Sequence, residues 1–472
     1  MAFMLRTKFK LISMSMMALL FIVSQSVSAQ SLLRDAETEA FLKHAFRPIF
    51  EAANLTPESV HIYLIHDNSL NAFVMGGQNI FIHSGLLLAA DDVNQLLGVV
   101  AHEAGHIAGG HLRRRDETAS SSSMMSIVSM VLGAAAIAVG GGDAGMGIIM
   151  AGQSMAQRTY LKYSRIQESN ADQAGASYLQ KSGISGRGLI EFFEKLRHEE
   201  IMRHIKQNPY IRTHPLNRDR MMSLEGVVMA SPYSGTPPNA ELNAEFLRIK
   251  GKLYGYTTKP AITLAKFPAS DTSAQAQYAR VYAYHKSLEW DAALAEIEAM
   301  KNKEPKNSYL YEIQGQILVE NQKVNDALVP LRRAVELNPQ ETLILTALGQ
   351  ALVALEDDQY LGEARKHLEL ATALDSENTF GWYNLAIVYT RLKEPALASL
   401  ATAERYNVMR NGHMAAMHAN MAMEGLKEYT PKWVRAQDIL YINESLAKKQ
   451  KKQKKQKERS IAPFSINMVK SK

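Results

Sequence analysis

Cysteine is missing from all 472 residues. That excludes disulfides and thiolate ligands, so a bound metal must be held by histidine and carboxylate side chains. Apolar runs of membrane-spanning length are missing as well. The stretch Leu11 to Val23 falls short of the ~20 residues that a helix needs to cross a bilayer. It follows Arg6, Lys8 and Lys10 and precedes the small residues Val27-Ser28-Ala29, which is the layout of a signal peptide over residues 1–29, cleaved after Ala29. The rival reading is an uncleaved anchor, for which the stretch is short. Acidic residues are scarce at the other end, where from Lys448 onward ten Lys/Arg face Glu458 alone. The formal charge of +6 therefore belongs to the leader and the tail. The body between them is mildly acidic, which argues against nucleic-acid binding.

The length suggests two or three domains. An amphipathic helix is expected from about Leu33 to Leu55, then strands His61–Ile65 and Asn79–His83 around the Gly76-Gly77 turn. Asp91-Asp92 caps a helix that runs through Leu96, Val99 and Val100 into His102 and His106 and ends near Gly109-Gly110. The apolar segments Met124–Val139 and Met146–Met155 flank Gly140-Gly141-Gly142-Asp143. They read either as a buried helical hairpin or as a surface that touches membrane or covers a cleft.

The stretch Ser231 to Asn239 is rich in proline, glycine and serine, as a linker is. Beyond it Ala293, Ala327, Ala364 and Ala398 recur at spacings of about 34, 37 and 34 residues, the tetratricopeptide period. Gly315, Gly349 and Ala386 keep step in the first helix of each repeat, and Pro305 and Pro339 close two repeats. The longer spacing is assigned to a three-residue insertion, Asp357-Asp358-Gln359, and a further helix pair fits between Glu241 and Lys266. The fold expected is α+β: a metallopeptidase domain over residues 30–230, a linker at 231–240, an all-α repeat domain at 241–446 and a basic, disordered tail at 447–472. Contact of that tail with anionic lipid is the alternative reading.

His102-Glu103-Ala104-Gly105-His106 carries the chemistry. Residues four apart share a helix face, so both imidazoles reach one Zn2+, and Glu103 can take a proton from water. A catalytic zinc takes three protein ligands and leaves one position open. The His-x-x-Gly-x-x-His pattern fails, because Gly109 fits but the next slot holds Leu112, with His111 one residue early. Glu168-Ser169-Asn170-Ala171-Asp172 supplies a later helix instead. On it Glu168 serves as third ligand and Asp172, one turn on, accepts the outer N–H of a ligand histidine. The alternative for this pair is a solvated acidic face. His61, His66, His83, His111, His198 and His204 are expected to be structural or solvent-facing.

These motifs, with Asn71-Ala72-Phe73, Ser84-Gly85-Leu86-Leu87 and Thr213-His214-Pro215-Leu216 in the same order, resemble the Ste-twenty-four/HtpX-like zinc peptidases. With the leader and the repeats, the whole is similar to the BepA-like group among them. The resemblance implies a zincin-like fold and a periplasmic zinc endopeptidase acting on misfolded or stalled outer-membrane proteins. It implies partners in outer-membrane assembly reached through the repeats, while peripheral membrane contact is the reading that the apolar segments and the lysine tail leave open. It also implies that His214 can take the water's place on zinc, the alternatives being a transition-state donor or simply a loop histidine beside Pro215, and that Arg220 could pair with a substrate carbonyl or oxyanion. A substrate strand is expected to add at the edge near Asn71 to Met75. The competing function is a chaperone or assembly adaptor with proteolysis held in reserve.

Overall fold

The computed structural model describes residues 32–111, 150, 164–203, 210, 214–216 and 218–444. The leader, the basic tail and all of the Met124–Met155 region except Met150 lie outside the described residues. Contacts divide the chain into two compact units, the first holding Leu33 and Phe46–Pro237, the second Arg34–Ala45 and everything from Pro238.

In the first unit a four-stranded sheet is ordered β1-β2-β4-β3: β1 Leu32–Leu33, β2 His61–Ile65, β3 Ala72–Met75 and β4 Asn79–His83. β2 and β4 run parallel, and β1 and β3 are the antiparallel edges. The register places Tyr63, Phe81 and Phe73 side by side, where their rings stack at 5.0 and 5.2 Å. Ile80 and Ile82 alternate to the other, buried face, the period-two pattern of a half-buried sheet. Gly76 and Gly77 have φ of 65° and 101°, the conformation a tight β3–β4 hairpin demands and side chains resist.

Helix α1 is Ala36–Ala52, shorter than the sequence suggests because Leu32 and Leu33 pair with β2 instead. Its residues up to Ala45 belong to the second unit, although sequence places them in the peptidase domain. After α2, Ser84–Ala89, α3 covers Val93–Ala108. Asp92 caps it, its carboxylate accepting from Gln95 N at 3.0 Å, which satisfies one of the free amides at a helix start. Residues 164–181 form α4, followed by α5 Arg187–Arg203 and α6 Arg218–Ala230.

The second unit is a run of antiparallel helix pairs. They are α7 Ala240–Thr257 with α8 Pro260–Lys266, α9 Ala274–Lys286 with α10 Trp290–Lys303, α11 Ser308–Glu320 with α12 Val324–Leu337, α13 Thr342–Ala354 with α14 Leu361–Leu374, and α15 Thr379–Arg391 with α16 Pro395–Val408. α17 Gly412–Gly425 pairs with α18 at 431–444, a pair the periodicity left unnamed. Leu288, Gln322, Glu356 and Lys393 turn the first helix of a repeat into the second with φ near 60°, at spacings of about 34, 34 and 37. The insertion thus lies between Glu356 and Ala364, where Asp358–Tyr360 forms a 3-10 turn. Among the described residues no helix is long and apolar enough to cross a membrane.

Small residues sit where the two helices of a repeat cross. A Cβ on Gly315 would meet Leu331 Cγ at 2.4 Å, and one on Gly349 would meet Leu368 Cγ at 2.5 Å. Gly315→Ala and Gly349→Ala should each cost about 1–3 kcal/mol in denaturant unfolding. Gly362→Ala, whose added carbon meets nothing, should cost none.

Candidate active site

α3 is a core helix before it is a catalytic one. Leu96, Leu97, Val99 and Val100 are buried, and so are His102, Glu103 and His106. Two glycines let α4 press against it. A Cβ on Gly105 would lie 2.8 Å from Ala171 O, and one on Gly175 would lie 3.0 Å from His102 N. Gly98 and Gly188 do the same where α3 meets α5, at Leu189 and Asn94. Two acids on α4 are thereby carried to the histidine rings.

His102 Nε2 lies 3.1 Å from His106 Nε2, 3.2 Å from His214 Nδ1 and 3.4 Å from Glu168 Oε2. Glu168 reaches His106 Nε2 at 3.5 Å and His214 Nδ1 at 3.0 Å. Atoms of all four residues fall within 4.8 Å of one another. With its single proton on Nδ1 toward Asp172, neutral His102 presents the Nε2 lone pair to two further ring nitrogens and a carboxylate, an arrangement of acceptors that a cation relieves. Both oxygens of the fully buried Glu103 lack a hydrogen bond among the described residues, and His214 Nε2 stands 3.5 Å from one of them. A buried carboxylate without a partner is costly. A divalent cation among the four residues, with water beside Glu103, supplies what both groups lack, so the donor set fits such an ion.

Asp172 Oδ1 stands 2.9 Å from His102 Nδ1. Arg220, expected to meet a substrate carbonyl, is turned instead onto this carboxylate. Its Nε and Nη2 donate to Asp172 at 2.7 Å each, and its Nη1 donates to Pro215 O at 2.7 Å and stands 3.3 Å from Glu168. The reason is electrostatic, because two buried acids on one face of α4 require a buried cation. Burial opposes charge on His102, yet hydrogen bonds to Asp172 and Glu168 lift its pKa to about 9. Burial drives His106 down to about 3. It also works against the Glu168 carboxylate, which His214, His102 and His106 nevertheless hold well below the usual range. Glu103 is pushed up by burial.

Two further side chains border the cluster, of which Tyr210 has no signal in the sequence. His111, expected to be structural or solvent-facing, is buried with its Nδ1 3.0 Å from His106 Nδ1. Tyr210 is buried and stacks on the His214 ring at 4.6 Å. His83 is buried against Ser69 Oγ at 2.8 Å, His61, His66 and His198 are exposed, and His204 lies outside the described residues. No spacing rule signals either neighbour, since Tyr210 arrives through tertiary packing and His111 through the turn at Gly110, where φ is 60°.

Residues 34–228 match Peptidase family M48. These residues, about two fifths of the chain, are similar to an M48 peptidase domain. The buried cluster within them is of the kind that can hold a metal ion. Outside the M48 domain the likeness extends through the repeats: the beta-barrel assembly-enhancing protease of Escherichia coli K12 is 25% identical over 394 residues, 82% of this chain and 79% of that one. The protein of the same name from Yersinia pestis is 24% identical over 71% of this chain and 69% of its own length. Metalloprotease LoiP of Escherichia coli K12 is 30% identical over 37% of this chain and 66% of that protein.

Gly105→Ala should force α3 and α4 apart at the Ala171 carbonyl. Expected is a loss of about 1–3 kcal/mol in thermal or denaturant unfolding, with weaker metal uptake measured by chelator competition.

Proposed function

We propose that the chain is a periplasmic zinc endopeptidase that degrades misfolded or stalled outer-membrane β-barrel proteins and assists their assembly. Its peptidase domain spans residues 30–230, and a repeat domain at 241–446 recruits clients. One observation carries the reading: ligand atoms of His102, His106, Glu168 and His214 lie within 4.8 Å of one another in a segment that matches family M48, and Glu103 Oε1 stands 3.5 Å from His214 Nε2. The similarity to the beta-barrel assembly-enhancing proteases over most of the chain supports the client class.

In this reading His102, His106 and Glu168 hold the ion, the two-histidine-plus-glutamate arrangement of gluzincins. Bound there, Zn2+ supplies a Lewis acid for the scissile carbonyl and for water. Glu103 takes the proton of the attacking water and passes it to the leaving amine. Asp172 fixes the tautomer and angle of His102. Arg220 acts through Asp172 as a positioning residue rather than on substrate. His214 lies against His102 and Glu168, where its ring would compete with water for a bound ion. The same closed geometry favours a second reading, in which the repeats work as a chaperone or adaptor and proteolysis is held in reserve.

Glu103→Gln should lower hydrolysis of an unfolded β-barrel protein by about two to four orders of magnitude while metal analysis still finds one zinc per chain. If that variant also complements an outer-membrane assembly defect, the adaptor reading gains and the proteolytic one loses. Glu168→Ala should lose the stoichiometric zinc. His214→Ala should raise proteolysis, and unchanged or lower activity would remove its gating role.

A further inference from the structure

The second unit contains a charged cluster that hydrolysis does not use. Residues 34–45, the start of α1 and the two residues before it, fall in the second unit and pack on α7, α9, α12 and α13. Lys252 on α7 is buried and holds Asp35 at 2.6 Å and Glu37 at 3.3 Å. Arg248, one turn earlier, stands 3.0 Å from Glu37, and Tyr278 on α9 donates its hydroxyl to the same carboxylate at 3.0 Å. Asp35 also caps α1, accepting from Thr38 N at 2.8 Å. Between the two acids, Ala36 is buried against Ala334 and Ile344. Further along, Phe41 packs on Phe246 at 6.2 Å, and before the acids Arg34 reaches Asp375 at 2.8 Å.

The balance of charge is informative. Asp35 and Glu37 from the segment meet Lys252 and Arg248 from the repeats, which also face the repeats' own Glu312 and Glu304, and a buried cation that loses two of its carboxylates is left in an unfavourable state. A face that buries Lys252 under the rings of Tyr278 and Tyr282 is therefore built to contain carboxylates. The recognition is also positional, because the two acids are two residues apart at a helix start and only a small side chain fits between them. We propose that this face is a receptor for a peptide helix start bearing two carboxylates two residues apart. Residues 34–45 are its resident ligand, which an acidic client segment must displace. The proposal holds whether or not the metal site cleaves anything.

The test uses the full mature chain and a fluorescent peptide of residues 30–45, followed by anisotropy at low salt. Asp35→Asn with Glu37→Gln weakens the resident segment and should bind the peptide at least roughly tenfold more tightly than wild type. Adding Lys252→Met to that variant should abolish the gain. Equal affinity for all three proteins, or no binding to the first variant, overturns the proposal. Should the variants unfold, hydrogen exchange decides on wild type alone. Excess peptide should speed exchange at residues 38–45, whereas unchanged exchange means that the segment is a fixed structural strut.

Discussion

Two helix backbones in contact are the constraint on which the first unit depends. Where Gly105 meets Ala171 and Gly175 meets His102, no side chain separates α3 from α4. At a larger separation Glu168 and Asp172 would stop short of the rings and would be two buried acids with no cations. At the observed one, they meet His102, His106 and Arg220 and the buried charges compensate each other. The requirement for glycine inside the His-Glu-x-x-His segment is thus set by helix packing. The chemistry depends on that spacing but does not itself demand a glycine.

This explains which parts of the site could be read from the residues. The pairs His102 with His106 and Glu168 with Asp172 are each one helical turn apart, so helix periodicity places each pair on one face. Their convergence is tertiary, and only the small residues hint at it. Arg220 shows the limit. The resemblance assigns it to a substrate carbonyl or oxyanion, and the structure shows its side chain on the buried acids of α4, a contact that no local pattern reveals. The start of α1 is a similar case: the helix was legible, but its partners Lys252 and Tyr278 lie more than two hundred residues away.

The repeat unit was legible because its constraints are local and recur. The same insertion shifts the alanines of the second helices and the left-handed turn residues by different phases, which locates it between Glu356 and Ala364. The turn positions hold Leu288, Gln322, Glu356 and Lys393, none of them glycine, so composition gives no sign of the left-handed backbone there. The closing pair, α17 with α18, lacks the alanine and glycine markers in phase and was missed for that reason.

The sheet order has an outcome for what the site can act upon. β3 packs against α3 and, among the described residues, pairs with β4 alone. A chain that docks on it must bring backbone N–H and C=O groups not already engaged. A completed β-barrel has none to offer, because every strand is bonded on both sides. An unfinished barrel exposes two such strands. Under the proposed function, such an edge would favour a client whose own sheet has not closed, without any sequence motif.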